Sequence, residues 1–225
     1  NGTFAFIGSS ATLTSNASPA GSDLYQYNAE TSALTDLTPD STDSSGANLQ
    51  QVLGVSEDGT FVYFLATGNL ASGAIGTASK LYVWHEGQTR LIDELRSEAN
   101  QLANSPDPSE YWRISPDGRY LGFLFGGNLE GPHRAESWPH RQAYLYSYET
   151  DALSCSSCPP GGHASGDVSL HGISTPGSQA VGTRSFMNSE IGLTRNVTNA
   201  GQFFFQSPDR LLVEDTNEAQ DVYEY

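Results

Sequence analysis

A short stretch that recurs along the chain constrains the fold more than any other feature of the sequence. Its clearest copy is Ile-Ser-Pro-Asp-Gly-Arg-Tyr-Leu-Gly-Phe at 114–123, and degenerate copies stand at 55–64, at 197–205 and, without the front part, at 1–7. The common order is a β-branched approach, a short turn ending in Gly, and a series of aromatic and aliphatic residues. Because Gly readily adopts positive φ, this order predicts a β-hairpin at each copy.

A second signature follows each hairpin motif, at 24–27, 81–84, 145–148 and 222–225. Tyr or Trp alternates there with other residues, and a period of two is typical of a strand. A third strand is predicted after a turn in three of the four copies, at 33–35, 90–92 and 152–154. Counting the approach to the turn, each complete unit therefore has four antiparallel strands.

These units predict a β-propeller, because a four-stranded antiparallel unit repeated at fixed spacing is typical of a propeller blade. The turn glycines Gly2, Gly59 and Gly118 are 57 and 59 residues apart, whereas Gly118 and Gly201 are 83 residues apart. We therefore expect an all-β fold with one propeller segment over 1–225. Its expected parts are blades at 1–38, 49–95, 111–158 and 193–225, and an insertion at 159–193.

The first and last blades are predicted to be incomplete. Residues 1 and 2 already form the turn of the first unit, and no counterpart of the strand at 33–35 follows 222–225. Open strand edges favour aggregation unless another strand covers them. We expect either a propeller of more than four blades in a longer chain or self-association through the open blade edges, with a closed four-bladed disc as the alternative.

The inner strands should supply most of the core, because blades pack face to face. The residues predicted to be buried are Phe61, Val62, Tyr63, Phe64, Tyr120, Leu121, Phe123, Phe203, Phe204 and Phe205. One helix is predicted, at 93–102, where strong helix formers place Leu95 and Leu102 one heptad apart.

The motif at 115–123, with the later strand at 145–148, resembles the TolB-like (WD-repeat-like) propeller family over nearly the whole chain. The segments 154–159 and 211–225 also resemble large propeller proteins of the bacterial envelope. The resemblance implies a propeller fold, which can serve as a partner platform, an enzyme domain or a substrate gate. No partner-binding residues of the family match positions of this chain.

Composition excludes some partners. The chain has 26 Asp and Glu against 10 Lys and Arg, a formal net charge of −16, which repels nucleic acid and anionic membrane surfaces. No apolar stretch is long enough to cross a bilayer, so membrane insertion is not expected. Lys80 is the single lysine, and Gly, Ser, Thr and Asn are abundant, a pattern that favours an extracellular, periplasmic or cell-surface location.

The pair Cys155 and Cys158 favours a local disulfide, since the chain has two cysteines and an oxidising compartment is expected. A pair of free thiols is the first alternative. A zinc site that adds His163 and His171 is the second, although its spacing matches no established structural zinc site.

Calcium is the one cofactor that the sequence suggests. Asp215, Asn217 and Asp221 place oxygen ligands on a tight loop, as a hard cation requires. The loop departs from an EF-hand because Ala219 occupies the third ligand position and no Gly follows. A plain hairpin loop is the alternative.

No catalytic residue is nominated. The stretch Gly172–Pro176 lacks the last glycine of a nucleophile elbow, and spacing singles out no carboxylate pair. We expect a non-enzymatic binding or structural module that uses its loop faces to bind a protein or carbohydrate partner. The alternative is a propeller enzyme, or the propeller domain of one, acting on polysaccharide or peptide.

Overall fold

The computed structural model describes residues 2–39, 46–95, 111–126, 129, 140–159, 164–170, 195–217 and 219–225. These residues form thirteen β-strands and no helix, so none of them belongs to a helix that could span a membrane. The helix predicted at 93–102 is wrong at its start, because residues 93–95 end a strand. The rest of that prediction lies outside the described residues.

The strands form four antiparallel sheets, and neighbours in sequence are neighbours in each sheet. The first sheet holds β1 (Phe4–Ser9), β2 (Asp23–Asn28) and β3 (Ala33–Asp36). The second holds β4 (Leu49–Val55), β5 (Phe61–Ala66), β6 (Ser79–His85) and β7 (Gln88–Leu95). The third holds β8 (Trp112–Ile114), β9 (Tyr120–Phe125), β10 (Gln142–Ser147) and β11 (Ala152–Cys155). The fourth, here called the last sheet, holds β12 (Phe204–Ser207) and β13 (Asp221–Glu224). The all-β prediction and the four-stranded antiparallel unit are confirmed, the latter in the second and third sheets.

A serine organises the turn of the repeated motif. The carbonyl of Ser56 accepts the N–H of Gly59 at 3.0 Å, which closes a four-residue turn. The Ser56 hydroxyl donates to Asp58 at 2.6 Å and accepts the N–H of Phe61 at 2.9 Å. Gly59 has φ 77°, whereas no aspartate of the motif has positive φ. Residues 56–59 therefore form a β-turn whose last residue, Gly59, has left-handed φ. A hairpin with a two-residue loop would instead need positive φ at both loop residues.

The third sheet corrects the expected register of the aromatic strand. Phe123 pairs with Tyr144 in the way that Phe64 pairs with Tyr82 in the second sheet. Tyr144, not Tyr146, is therefore the counterpart of Tyr82, and the expected signature at 145–148 is shifted by two residues. A shift of two leaves the alternation of faces unchanged, so the sequence period does not distinguish the two registers.

Each sheet packs its face on the next sheet in chain order, and three apolar clusters fill these interfaces. Leu24 of the first sheet and Leu37, the residue after β3, lie with Val62, Phe64 and Tyr82 of the second. Phe61 and Tyr63 of the second lie with Phe123 and Tyr146 of the third. Leu124 and Leu145 of the third lie with Phe203 and Phe205 of the last.

The turn glycines make one and the same contact at each interface. A Cβ at Gly59 would lie 2.7 Å from Phe4, one at Gly118 would lie 2.5 Å from Phe61, and one at Gly201 would lie 2.9 Å from Tyr120. Each turn therefore presses on an aromatic ring at the start of the inner strand of the preceding sheet. The three sheet-to-sheet interfaces repeat one geometry.

Two separate segments pair with β12 and with Phe203, the residue before it, on the edge opposite β13, here called the inner edge. Val197 bridges Phe203, and Ser169 bridges Gln206 through mutual backbone bonds of 2.9 Å. Ser169 thus pairs with the last sheet, although it falls inside the expected insertion at 159–193. Arg141 stabilises the segment that contains Ser169, because it donates hydrogen bonds to Asp167, one of them 2.7 Å long. Burial acts to raise the pKa of Asp167, but the hydrogen bonds from Arg141 and its charge outweigh burial and lower that pKa.

The predicted core residues are mostly buried. Tyr120 and Phe204 are half-buried, and the other eight are less than a tenth exposed. Phe204 lies on the face of the last sheet that no further described sheet covers, which explains its greater exposure.

Candidate functional site

The loop between β12 and β13 forms the site that we regard as the candidate. The hydroxyl of Tyr223 in β13 donates its proton to the carboxylate of Asp215 at 2.5 Å, and it also lies 3.0 Å from the carbonyl of Asp209, with which that proton can be shared. Arg210 donates to the carbonyls of Leu212 and Val213, which folds the middle of the loop. The loop encloses a cleft of about 330 Å³. Its lining residues are Leu212, Glu214, Asp215, Thr216, Asn217, Asp221, Val222 and Tyr223.

The three residues predicted to bind calcium lie together in this cleft. The amide of Asn217 donates to Asp221 at 3.3 Å, and the backbone N–H of Asn217 donates to Asp215 at 3.4 Å. The side-chain oxygen of Asn217 accepts the N–H of Ala219 at 2.8 Å, so it faces its own loop. The carboxylates of Asp215 and Asp221 suit a hard cation, whereas Asn217 would have to turn its amide to supply an oxygen. No group of three or more His, Cys, Asp or Glu side chains arranged to hold a metal occurs among the described residues. Calcium binding here therefore stays a prediction.

Asp221 is the first residue of β13, and the residue at its position in each of the other sheets is buried. In register, its counterparts are Asp23, Lys80 and Gln142, and all three are buried. Lys80 donates to the carbonyls of Thr67, Gly76 and Ala78 at 2.9–3.1 Å. Unlike the ammonium group of Lys80, the Oδ2 atom of Asp221 is buried without a hydrogen-bond partner in the described structure. A buried carboxylate oxygen without a donor favours a ligand that supplies a positive charge or an N–H group.

The phenol of Tyr223 stays protonated at neutral pH. Burial, together with its hydrogen bond to Asp215 and the charge of that carboxylate, raises the pKa of Tyr223 to about 12. The phenol therefore remains a hydrogen-bond donor at neutral pH, and it keeps Asp215 oriented.

Two aliphatic side chains, those of Leu212 and Val222, line the acidic cleft, and Val213 stands between the lining residues Leu212 and Glu214 in the sequence. Leu212 is 58% exposed, Val213 is 80% exposed and Val222 is 68% exposed. In the first three sheets the counterparts of Val222, which are Leu24, Leu81 and Ala143, are fully buried. Sequence reasoning missed this rim because exposure depends on which sheet faces which. The available signal was the placement of Leu-Leu-Val at 211–213 directly before an acidic loop.

The cysteine pair lies at another place, at the end of β11. Cys155 and Cys158 form a disulfide in the structure. Neither sulfur is then a thiolate, so the zinc alternative lacks two of its ligands; His163 and His171 lie outside the described residues. Between the cysteines, the buried hydroxyl of Ser157 accepts the N–H of Ala143 at 2.8 Å and donates to Gln142 at 2.9 Å.

Comparison with known proteins gives limited similarity. No protein-family model matches the chain, and no curated protein matches it. Among solved structures it is similar to TolB from Acinetobacter baumannii, with 12% sequence identity and a TM-score of 0.36. That similarity covers 91% of this chain but 35% of the TolB chain, so this chain spans about a third of the length of that protein.

Proposed function

We propose that this chain is a non-enzymatic β-propeller segment of a secreted or cell-envelope protein and that it binds a partner protein at the acidic cleft of its last sheet. Support for the propeller comes from the serial packing of sheets and from the turn contact repeated at all three interfaces. The disulfide between Cys155 and Cys158 supports an oxidising compartment.

One observation carries the binding proposal: carboxylates and exposed aliphatic residues meet in a single cleft. Glu214, Asp215 and Asp221 line it, and Leu212 and Val222 border it. Exposed apolar groups rimmed by polar ones are typical of interaction sites. A concave acidic surface concentrates negative potential, which attracts Lys and Arg side chains. The net charge of −16 adds to that attraction.

The chemistry of the rim favours a protein segment over a carbohydrate. Leu212, Val213 and Val222 are aliphatic and present no flat aromatic face on which a sugar ring could stack. A partner segment that carries basic residues next to aliphatic ones would satisfy both parts of the cleft.

A random-peptide selection on the immobilised chain tests the proposal. We expect the recovered peptides to combine Lys or Arg with aliphatic residues and to bind less tightly as salt is raised. The double variant Asp215→Asn, Asp221→Asn should weaken their binding roughly tenfold, which corresponds to about 1.4 kcal/mol. Leu212→Ser should weaken it as well, because Leu212 lines the cleft.

Ile75→Ser is the matched control, because Ile75 is also exposed, at 64%, but lies in a loop of the second sheet. Peptide binding that responds equally to the cleft variants and to Ile75→Ser would contradict the assignment of the site. Cleavage of the recovered peptides by the chain would contradict its non-enzymatic character and support a propeller enzyme instead.

A further inference from the structure

The disulfide between Cys155 and Cys158 encloses the two residues that bond the end of the outer strand to β10. Ser156 donates its backbone N–H to the carbonyl of Ala143 at 2.8 Å. The Ser157 hydroxyl accepts the N–H of Ala143, also at 2.8 Å. We call Ser156 and Ser157 the clip of the third sheet. Because the disulfide closes a loop around the clip, it restricts how the clip can move.

The first sheet has the same clip without a disulfide. Leu24 is the counterpart of Ala143, and its carbonyl accepts the N–H of Leu37 at 2.8 Å. The N–H of Leu24 donates to the Thr38 hydroxyl at 2.9 Å. In both sheets, therefore, one backbone N–H and one side-chain hydroxyl from consecutive residues bond the same residue of the neighbouring strand.

A carboxylate orients the clip of the first sheet. Asp36 accepts the N–H of Thr38 at 2.9 Å, and the Thr38 hydroxyl lies 3.3 Å from the same carboxylate oxygen. Asp36 pairs with Tyr25 as Cys155 pairs with Tyr144, so Cys155 is the counterpart of Asp36. The third sheet thus has a disulfide where the first sheet has hydrogen bonds. Hydrogen bonds suffice for this clip, and what the disulfide adds is dependence on the redox state.

Ring size and exposure both favour a labile disulfide over a purely structural one. The two cysteines are three positions apart, and a disulfide restricts the unfolded chain least when its loop is short. Cys158 is exposed, whereas Cys155 is half-buried and packs against the apolar cluster between the second and third sheets. Exposed disulfides are the ones that thiols reduce readily. We therefore expect an attacking thiolate to reach the sulfur of Cys158.

Hydrogen bonds continue from the clip to the last sheet. The Ser157 hydroxyl donates to the side chain of Gln142 at 2.9 Å, and the amide of Gln142 donates to the carbonyl of Arg141 at 3.0 Å. The same carbonyl accepts the N–H of Val168 at 3.0 Å. Ser169, the next residue, pairs with β12. Because contiguous hydrogen bonds can couple distant positions, a change in the clip should reach this pairing.

We propose that Cys155 and Cys158 form a reversible thiol–disulfide exchange site for a protein dithiol, and that reduction opens the clip and loosens the pairing of Ser169 with β12. A thiolate of the dithiol bonds to the sulfur of Cys158, and Cys155 leaves as a thiolate. The second thiol of the partner then closes a disulfide with the first and releases Cys158. The partner is oxidised to a disulfide, and the cysteine pair gains the two electrons and two protons that the partner loses. The site uses no residue of the acidic cleft, so its test is separate from that of the proposed function.

Amide exchange of the folded chain with and without dithiothreitol tests the redox control of the clip. Reduction should speed exchange of the Ala143 amide at least about tenfold, because its acceptor is no longer held by the disulfide loop. The Val168 amide, further along the same series of bonds, should exchange about threefold faster. The Leu24 amide is the matched control, since its clip has no disulfide, and it should change by less than about twofold. Oxidised glutathione added afterwards should restore slow exchange.

Reduced glutathione tests which sulfur is attacked. As a monothiol it forms a mixed disulfide with the chain but has no second thiol to resolve it. After acid quenching, peptide mass spectrometry should find glutathione on Cys158 and not on Cys155, because Cys158 is the exposed member of the pair.

Two double variants separate the clip from the disulfide. Cys155→Ser, Cys158→Ser should exchange the Ala143 amide as fast as the reduced chain does, with or without dithiothreitol. Cys155→Asp, Cys158→Ser introduces the carboxylate that orients the clip of the first sheet. It should exchange that amide slowly under both conditions, because its hydrogen bonds do not depend on the redox state.

Four results would overturn the proposal. Reduction that speeds the Leu24 amide as much as the Ala143 amide would show that the disulfide stabilises the whole fold instead. An Ala143 amide that does not respond to reduction would remove the link to the clip, and an unchanged Val168 amide would remove the link to the last sheet. A disulfide that is reduced only in denaturant, or that takes up glutathione at Cys155, would contradict the exchange site.

Discussion

A comparison of Gly118 with Gly87 distinguishes two costs of replacing a turn glycine: the strain of a left-handed backbone and the overpacking of a neighbouring side chain. Their φ values are nearly the same, 79° and 80°, but a Cβ at Gly118 would lie 2.5 Å from Phe61, whereas one at Gly87 meets nothing within 4 Å. Gly87→Ala should therefore lower the free energy of unfolding by about 1 kcal/mol, the cost of a left-handed alanine. Gly118→Ala should lower it by roughly 2–4 kcal/mol, because overpacking adds to that cost. Denaturant unfolding measures both, and equal losses would contradict the packing role of the turn.

Calcium binding at Asp215, Asn217 and Asp221 predicts a thermal midpoint that rises with calcium and falls again with chelator, as mass action requires. Asp221→Asn should abolish the shift, because it removes a carboxylate and leaves Asn217 in place. Asp58→Asn is a suitable control, since Asp58 forms the turn of the second sheet, far along the chain. Identical midpoints in calcium and chelator would remove this site.

Two neighbouring serines that follow β11, Ser156 and Ser157, contribute differently to the stability of the pair β10 and β11. The Ser157 hydroxyl bonds Ala143 and Gln142, whereas the Ser156 hydroxyl is buried without a partner in the described structure. Ser157→Ala should lower the free energy of unfolding by about 1–3 kcal/mol, since it leaves two buried polar groups unsatisfied. Ser156→Ala should change it by less than about 0.5 kcal/mol. A larger loss for Ser156→Ala would contradict the role that we assign to the hydroxyl.

Only part of the strand arrangement could be predicted from the sequence. The hairpins were predictable because Gly at a fixed offset before an aromatic series has a local physical cause, and positive φ at Gly59 agrees with it. The register of β10 was not, because Tyr144, Tyr146 and Tyr148 alternate in the same period and only pairing with β9 chooses among them. The inner-edge segment at 168–170 carries no hairpin motif, so only its contact with β12 reveals it.

The candidate site, too, could be predicted from the sequence only in part. The proximity of Asp215, Asn217 and Asp221 follows from their spacing in one loop, which the sequence contains. The exposure of Leu212 and Val213 does not, because hydrophobic residues are buried or exposed according to their tertiary neighbours.

Stability should be shared between adjacent sheets. Phe61 belongs to the second sheet, but it packs in the cluster that contains Phe123 and Tyr146 of the third. Phe61→Ala should lower the free energy of unfolding by about 3–5 kcal/mol. Ile75→Ala, at an exposed position, should lower it by less than about 0.5 kcal/mol. Amide exchange should show faster opening of β5 and β9 together in Phe61→Ala, and acceleration confined to β5 would contradict shared stability.

The division of the inner edge of the last sheet between 168–170 and 195–198 has a practical consequence for protein engineering. Ser169 and Val197 are held by Gln206 and Phe203, three positions apart on one strand. A guest sequence that replaces residues 171–194 would leave and re-enter the same sheet at two neighbouring fixed points. Its length could then vary at a small entropic cost, since loop closure depends only weakly on length. This position is therefore the natural place to graft a foreign epitope or a reporter domain onto the chain.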